Sequence, residues 1–567
     1  MFTRRAALLL TVQLAACGPD PAQPTTDATT SDSPASSTTG TSAAPGTTTD
    51  SPTTTTPTTR GETTQSLGSA TDTSSEGTST TSDSPSTSSS STGSSTTSAG
   101  ESSSGESSAG DDTTTSTTED VACLAPTDSD TAADPTAWSF GRGDPLFSLS
   151  ARQLAVAPSG SIVFSSTFNG VLDLGDGPMD SANQNHQAFA LLDSTGALQW
   201  SDHVGGGAMN DFGAQIDEFA LAVDCAGNLV IGGGFYGSMI LQDEHLDAVD
   251  GFEVNDDIIL TTEDMFLAKY GPDGALHWAR RFGDEQYQRI HDLDVQADGT
   301  IIIAGAVRGT LDLGGAPIVG GDRYVGVLAA FDPGGGPLWQ RSYASSSDTS
   351  LLGLDVGPGD RLAVFGYASA DTDFGGGPVL FVADPTFIAQ FEPDGAHRWS
   401  RRFIAAHGPT HVASDAAGGV VFGGDFFPGN QVYGGFIARH DDTGTLLWTR
   451  TFAPDPMTLE FVAPTALVVG DEVVTAGRFR GSIDFGGGDL ITEPLKNAMF
   501  VARHDLAGAH LGSTAFDGTG EQSPWAAAFG PDGELVVAGD FDGTLDLGAG
   551  PMVSLSDQDL FVHRFSP

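Results

Sequence analysis

Residues His291 to Tyr343 read HDLDVQADGTIIIAGAVRGTLDLGGAPIVGGDRYVGVLAAFDPGGGPLWQRSY. This stretch contains four runs of strand character, which are Leu293–Val295, Thr300–Ala306, Tyr324–Phe331 and Pro337–Tyr343. The turns between these runs carry Asp-Gly or Pro-Gly signals. Four short antiparallel strands in one repeat predict a blade of a β-propeller.

Parts of this unit recur along the chain. A turn element built on Asp, a hydrophobic residue and Gly is found at Gly170–Gly175, Gly309–Gly314, Asp371–Gly375, Gly481–Gly486 and Gly543–Gly548, with degenerate copies near Gly237 and Gly429. A second element ends in Trp at positions 200, 278, 339, 399 and 448, with Leu511 in a sixth copy. The seven turn elements predict seven blades, and the tryptophans are expected to pack between neighbouring blades.

The two ends of the array predict how the ring closes. The last unit stops at Pro567 after its third strand, so its Trp strand is missing. An orphan Ala137-Trp138-Ser139-Phe140-Gly141 precedes the first unit and matches the Trp strands elsewhere. We therefore predict an all-β, seven-bladed propeller of four-stranded blades over 123–567, closed by this N-terminal strand.

Composition excludes one class of partner. The 567 residues carry 23 Lys and Arg against 74 Asp and Glu, for a net charge of −51. Residues 123–567 alone hold 20 basic and 60 acidic side chains, a net charge of −40. Binding to nucleic acid requires a basic footprint, so a nucleic-acid partner is not expected.

The N-terminal part reads as an export signal and a tether. Residues 1–16 combine Arg4 and Arg5 with a short apolar run, as in a secretory signal peptide. Leu14-Ala15-Ala16-Cys17 resembles a bacterial lipobox, which implies lipidation of Cys17 and an outer-membrane lipoprotein at the cell surface or periplasmic face. Residues 17–122 are mostly Ser, Thr, Gly, Pro and Ala, a composition that predicts a disordered linker.

The repeat units resemble a family of bacterial β-propeller repeats known as SBBP. The matching features are Asp224-Cys-Ala-Gly227 before a strand, the strand Met265-Phe-Leu-Ala-Lys269, and a Gly-x-x-x-Trp turn. The resemblance implies a secreted or surface-exposed propeller and supplies no catalytic residues. The segment Ala190–Trp200 is also similar to the tryptophan-docking motif of quinoprotein propellers, but the chain lacks an adjacent Cys pair and a Cys-x-x-Cys-His haem motif.

Three sets of polar residues are candidate sites. Asp540, Asp542 and Asp546 resemble the later part of a calcium loop, because carboxylates on a tight Gly turn suit a hard cation; a solvated acidic turn is the alternative. No other cofactor is expected. Cys123 and Cys225 are candidates for a disulfide, which export permits.

The third set lies in an insertion of the second unit, about Gln242–Asp264, which contains nine acidic residues. Insertions on a regular scaffold often bind partners, although a solubilising loop is the alternative. The candidate partner residues are Asp243, Glu244, Asp247, Asp250, Asp256 and Asp257. Histidines such as His291 and His411 begin inner strands, where they are expected to line the central channel.

These observations predict a monomeric, envelope-anchored lipoprotein that displays a non-catalytic propeller as a binding or scaffold module. Its contacts would be the membrane, through the lipid, and a protein or glycan ligand that the sequence does not identify. The alternative is an enzyme, either quinoprotein-like or active on polysaccharides.

Overall fold

The computed structural model describes residues 137–144, 148–182, 184–206, 215–249, 252–255, 258–380, 386–403, 409–426, 434–453, 460–493 and 496–566. All regular elements in these ranges are β-strands, and they form the predicted seven-bladed propeller. Within the same ranges, no helix is long and apolar enough to cross a membrane.

Each blade is an antiparallel sheet with four main strands, which we list from the channel outward. Blade 1 has β2 (Ala151–Val156), β3 (Ile162–Phe168), β6 (His186–Leu192) and β7 (Leu198–Gly206); blade 2 has β8 (Gln215–Val223), β9 (Leu229–Tyr236), β14 (Asp264–Tyr270) and β15 (Leu276–Phe282); blade 3 has β16 (Gln288–Val295), β17 (Ile301–Leu311), β18 (Ile318–Phe331) and β19 (Pro337–Tyr343). Blade 4 has β20 (Thr349–Gly357), β21 (Arg361–Ala368), β24 (Thr386–Phe391) and β25 (His397–Arg402); blade 5 has β26 (Pro409–Ser414), β27 (Val420–Phe426), β28 (Gly434–His440) and β29 (Leu446–Phe452). Blade 6 has β30 (Phe461–Val469), β31 (Glu472–Arg480), β34 (Ala498–Asp505) and β35 (His510–Phe516); blade 7 has β36 (Gln522–Phe529), β37 (Leu535–Phe541), β40 (Asp559–Arg564) and β1 (Trp138–Arg142).

Small hairpins connect the second and third strands of most blades. They are β4 (Val171–Asp173) with β5 (Pro178–Asp180), β10 (Ser238–Leu241) with β11 (Glu244–Asp247), β12 (Phe252–Asn255) with β13 (Ile258–Thr261), β22 (Thr372–Asp373) with β23 (Pro378–Val379), β32 (Ser482–Asp484) with β33 (Asp489–Ile491), and β38 (Thr544–Leu545) with β39 (Met552–Val553). Because the second strand runs antiparallel to the inner strand, these hairpins lie on the face where the inner strands begin.

The predicted ring closure is confirmed. Strand β1 pairs with β40 in an antiparallel register from Trp138 opposite Arg564 to Arg142 opposite Leu560. The chain's first described strand therefore supplies the outer strand of its last blade.

The hydrophobic core consists of layers between the blades. The buried apolar residues form seven clusters, and each cluster joins two successive blades, including blades 7 and 1 across the closure. Strands in the middle of a blade are buried on both faces, as in β17, whereas an outer strand such as β19 is largely exposed. This burial explains the continuous apolar run Ile301-Ile302-Ile303-Ala304.

The recurring tryptophans contact the next blade along the ring. Each ring covers the positive-φ glycine of the turn between that blade's third and fourth strands; the pairs are Trp138–Gly196, Trp200–Gly274, Trp278–Gly335, Trp339–Gly395, Trp399–Gly444 and Trp448–Gly508. A Cβ on any of these glycines would lie 2.6–3.1 Å from the indole. Trp399 is buried and the other five are half-buried, so the interblade packing that we expected is found at the outer rim.

The other repeated residues also have structural roles. The Asp of the turn element accepts a hydrogen bond from the Gly two residues later, as in Asp312 to Gly314 at 2.8 Å. A Lys or Arg near the end of the third strand pairs with the acid at the turn before the second strand, as in Lys269 with Asp224 at 2.8 Å and Arg439 with Asp415 at 2.7 Å. The repeat signature is therefore largely accounted for by the scaffold.

Candidate functional site in the central channel

Every inner strand contains a β-bulge at the same place. In each blade the register against the second strand shifts by one residue, which leaves one residue of the inner strand without a partner. We call these seven residues the bulge ring; they are Arg152, Asp217, His291, Leu352, Thr410, Thr465 and Trp525. Bulges re-aim side chains and are common beside binding sites, and here the chemistry of the re-aimed residue changes from blade to blade.

In five blades the second-strand residue paired beside the bulge is a glycine, whereas blades 1 and 2 have Ser166 and Phe235 at that position. At Gly305 and Gly539 a Cβ would lie 2.0 and 2.2 Å from a carbonyl oxygen of the inner strand. The same close approach occurs at Gly366 and Gly477, with distances of 2.1 and 2.3 Å. An isolated glycine inside a strand pattern indicates a bulge, so this was the signal by which the ring could have been found from the sequence.

The bulge ring opens into a cavity of about 230 Å³ at the centre of the propeller. Its walls include Arg152, His291, Leu352, Thr410 and Trp525 from the ring. The cavity therefore combines cationic, aromatic, aliphatic and hydrogen-bonding groups, which is the mixture expected of a ligand site.

Both channel histidines lie where the sequence placed them. His291 and His411 line the cavity, although His291 is the bulged residue of its strand and His411 follows the bulged Thr410. Burial within the channel lowers the pKa of His411 to about 4. At neutral pH, His411 therefore offers the cavity an uncharged imidazole.

Sequence reasoning missed three carboxylates of the channel wall, Asp292, Asp294 and Asp355. Each accepts a backbone N–H from the inner strand of the next blade. Asp292 accepts from Leu354 and Asp294 accepts from Val356, both at 2.8 Å. Asp355 continues this pattern to Ser414 of blade 5, also at 2.8 Å. These carboxylates tie the free edges of neighbouring inner strands together.

The surroundings of these carboxylates favour their neutral form. Each of the three is half-buried on its inner strand. Burial raises the pKa of Asp292 and of Asp294 to about 7, against the opposing effect of their backbone hydrogen bonds. The neighbouring Asp355 carboxylate adds repulsion to both, and burial raises its own pKa as well.

The three candidate calcium ligands have separate protein partners. Asp540 is buried and accepts the indole N–H of Trp525, Asp542 accepts the backbone N–H of Glu521, and Asp546 accepts those of Gly548 and Gly550 at 2.9 and 3.2 Å. Among the residues that the structure describes, no group of three or more acidic, His or Cys side chains could hold a metal ion. Calcium binding by this turn stays an untested prediction.

The acidic insertion divides into two parts. Asp243, Glu244 and Asp247 are exposed on the hairpin β10–β11, which pairs with β7 and so extends the sheet of blade 1. Glu263 and Asp264, by contrast, are buried and paired with Arg289 and Arg281. The remaining predicted partner residues, which are Asp250, Asp256 and Asp257, lie outside the described residues.

The cysteine predictions fall partly outside the described chain. Cys225 is half-buried and disulfide-bonded. Cys123, the lipidation site Cys17 and the 17–122 tether lie outside the described residues. The Cys123–Cys225 pairing and the lipid anchor therefore stay predictions.

Comparison with known proteins yields only distant likenesses. No family model matches the chain, and no curated protein matches it. Solved structures similar to it include a protein of unknown function from Dyadobacter fermentans (11% identity, TM-score 0.36, 75% of this chain and 98% of that one) and Sqt1 from Chaetomium thermophilum (12%, 0.37, 76% and 99%). The Hadza microbial sialidase Hz136 is also similar (9%, 0.36, 76% and 68%). At these sequence identities and TM-scores, no function can be transferred to this chain.

Proposed function

We propose that this propeller is a non-catalytic binding module whose recognition site is the channel mouth formed by the bulge ring. The observation that carries this proposal is the contrast between a repeated backbone feature and its non-repeated side chains. A bulge kept in all seven blades presents a different chemistry in most of them. A purely structural bulge would have no need of that variety.

The channel carboxylates fit a binding role better than a catalytic one. Asp292, Asp294 and Asp355 already accept hydrogen bonds from strand N–H groups, so their oxygens serve the scaffold. The propeller would be displayed at the cell envelope, anchored through lipid on Cys17 and held away from the membrane by residues 17–122. The SBBP-type repeat resemblance agrees with such surface display.

The binding site can be tested by obstructing the channel mouth. Leu352 belongs to the bulge ring and is 37% exposed, whereas Leu338 is 54% exposed on the outer strand β19. We expect Leu352→Trp to abolish binding of hits from a panel of soluble oligosaccharides and short peptides, measured by ligand-observed NMR. Leu338→Trp is the matched control and should bind like the wild type.

Two other results would count against the proposal. Hits that bind Leu352→Trp as well as the wild type would place recognition elsewhere on the propeller. Cofactor absorbance of the purified protein, or release of product from a panel oligosaccharide, would favour the enzymatic alternative.

Anchoring has its own test. Cys17→Ser is expected to move the protein from the membrane fraction to the soluble fraction and to remove metabolic labelling by palmitate. Membrane retention and labelling that survive this substitution would contradict the lipoprotein proposal.

A further inference from the structure

Two arginines lie beside Trp525, a tryptophan of the channel mouth. The guanidinium carbon of Arg152 lies 4.0 Å from the ring centroid of Trp525, and that of Arg478 lies 5.5 Å from it. The three residues come from blades 1, 6 and 7, and Arg152 and Trp525 both line the cavity. In a domain with 20 basic residues against 60 acidic ones, two adjacent cations at the central cavity are a marked local exception.

The carboxylate beside this cluster, that of Asp540, already accepts hydrogen bonds from other groups. Asp540 is buried and accepts the Ser150 hydroxyl at 2.6 Å, the Trp525 indole N–H, and the Gln558 amide at 3.4 Å. It thereby fixes the orientation of the Trp525 ring without forming an ion pair within 4.0 Å to either arginine. The Arg478 Nε is buried without a hydrogen-bond partner.

The two guanidiniums therefore retain unused donors. Neither Arg152 nor Arg478 forms an ion pair or a conventional hydrogen bond with the described residues, and each guanidinium has five N–H donors. Partial enclosure of the Arg152 guanidinium by the channel lowers the pKa of Arg152; attraction from Asp540 opposes this effect, and repulsion from Arg478 adds a smaller lowering. An oxyanion that reaches both groups would accept hydrogen bonds from the planar guanidiniums.

The rest of the cavity limits the kind of anion. The strong negative charge of the domain repels anions in proportion to their charge, so a monovalent carboxylate is favoured over a dianionic phosphate. Leu352, which is 37% exposed, gives the otherwise polar cavity an apolar contact, whereas Phe365 and Leu467 are almost fully buried in its wall. The stacked Arg152 covers a face of Trp525, which makes that face a poor platform for a sugar ring.

We propose that the channel mouth binds a carboxylate attached to a small aliphatic group, with Arg152 and Arg478 receiving the carboxylate and Leu352 contacting the aliphatic part. This inference rests on the proposed function, because it assigns a ligand class to the same site. Such a group occurs both in a free aliphatic acid and at the C-terminus of a peptide that ends in an apolar residue.

Titration calorimetry with defined probes tests the proposal. The probes are isovalerate, N-acetyl-leucine, N-acetyl-leucyl-leucine and the amide of N-acetyl-leucine. We expect the carboxylates to bind and the amide to bind at least tenfold more weakly, since it lacks the charge. Tighter binding of the dipeptide than of isovalerate identifies a peptide C-terminus as the source, and the reverse order identifies a free acid.

Charge-matched variants locate the interaction. Arg152→Gln should weaken carboxylate binding at least tenfold, and Arg478→Gln should do likewise. Arg341→Gln removes the same charge from an exposed arginine whose guanidinium lies 5.4 Å from the Trp339 ring on an outer strand, so it should bind like the wild type. Unchanged melting temperatures will verify folding, and the exposed Arg152 provides the decisive variant if Arg478→Gln unfolds.

The outcomes separate this inference from the proposed function. Equal losses in Arg152→Gln and Arg341→Gln, or equal binding of acid and amide, would overturn the carboxylate site. If no carboxylate probe binds while panel hits are lost in Leu352→Trp, the ligand class is wrong and the channel mouth remains the recognition site.

Discussion

The outer rim and the bulge ring of this propeller differ in how much their residues vary from blade to blade. At the rim, six blades carry the same Trp, and each Trp covers the same turn glycine of the next blade. At the bulge ring, seven blades share the same backbone irregularity, but the bulged residues are Arg, Asp, His, Leu, Thr, Thr and Trp. Uniform residues hold the blades together, and the variable ones supply the chemistry available to a ligand.

The one exception at the rim supports this division. Blade 6 has the exposed Leu511 where the other blades have Trp. Its neighbour, blade 7, lacks the turn between third and fourth strands, because those strands are the two ends of the described chain. Without that turn there is no glycine for a Trp to cover, so the closure itself accounts for the substitution.

Removing the closing strand should have the largest effect. Deletion of 137–142 takes away the outer strand of blade 7 and the contact of Trp138 with Gly196. We expect a loss of more than about 5 kcal/mol in the free energy of unfolding, or failure to fold. Thermal unfolding followed by circular dichroism measures it, with deletion of 20–25 in the predicted tether as control. Equal melting temperatures for the two deletions would contradict the seven-bladed closure.

Adding one methyl group at the rim should have the next largest effect. Gly444 and Gly533 have nearly the same φ, +77° and +79°, but a Cβ on Gly444 would lie 2.6 Å from Trp399 while one on Gly533 meets nothing within 4 Å. Gly533→Ala should cost about 1 kcal/mol for backbone strain, and Gly444→Ala about 2–4 kcal/mol. Urea unfolding gives both values, and equal losses would show that the Trp–Gly contact adds no stability.

Exchanging the rim residues sharpens the account of Leu511. Trp448→Leu should destabilise the protein by about 2–3 kcal/mol, because it empties the site over Gly508 and removes the 3.0 Å hydrogen bond to the Leu506 carbonyl. Leu511→Trp should change stability by less than about 0.5 kcal/mol. A clear gain from Leu511→Trp, by the same urea titration, would mean that the missing turn is not the reason for Leu511.

The channel carboxylates predict a smaller, pH-dependent effect. The pKa of Asp294 is about 7 in the folded protein and 3.8 in its ordinary state, so its contribution to stability falls as pH rises from about 4 to 7. Asp294→Asn keeps an acceptor for the Val356 N–H without the buried charge. It should match the wild type at pH 4 and be more stable by about 1–2 kcal/mol at pH 8, allowing for solvent in the channel.

Asp441→Asn provides a control of opposite sign. Burial acts to raise the pKa of the half-buried Asp441, but its hydrogen bonds from Thr443 and Thr445 together outweigh this effect and lower the pKa. Its stabilising effect is present at neutral pH and lost as pH falls below the ordinary value, so Asp441→Asn should lose stability at pH 8. If both variants shifted in the same direction at pH 8, the assignment of the buried carboxylates would be wrong.

Features encoded within one repeat could be predicted from the sequence. The Asp and Gly turns, the Trp element and the orphan strand at Trp138 are local patterns, and they predicted the blade count and the closure. His291 and His411 were expected in the channel because both lie near the start of inner strands, and the strand order within a repeat identifies those strands. Each of these conclusions needs only the sequence of a repeat and its phase along the chain.

Apart from the closure, features that depend on the register or contacts of two separate segments were not predicted. The bulge ring arises from the register between the first and second strands of each blade. In the sequence, its only signal is a glycine in the second strand of some blades, such as Gly305. Asp292 accepts a hydrogen bond from Leu354 in the next blade, 62 positions away. The Arg152–Arg478 pair joins blades 1 and 6 over a residue of blade 7, so no local pattern brings these residues together.

The most direct test of this division is the stability of a variant that erases exposed members of the bulge ring. Arg152, Leu352 and Thr410 are all exposed at the channel mouth. The triple variant Arg152→Ala, Leu352→Ala, Thr410→Ala should unfold in urea with a free energy within about 1 kcal/mol of the wild type. A loss of several kcal/mol, comparable with that of Trp448→Leu, would show that the ring belongs to the scaffold and would contradict its role in recognition.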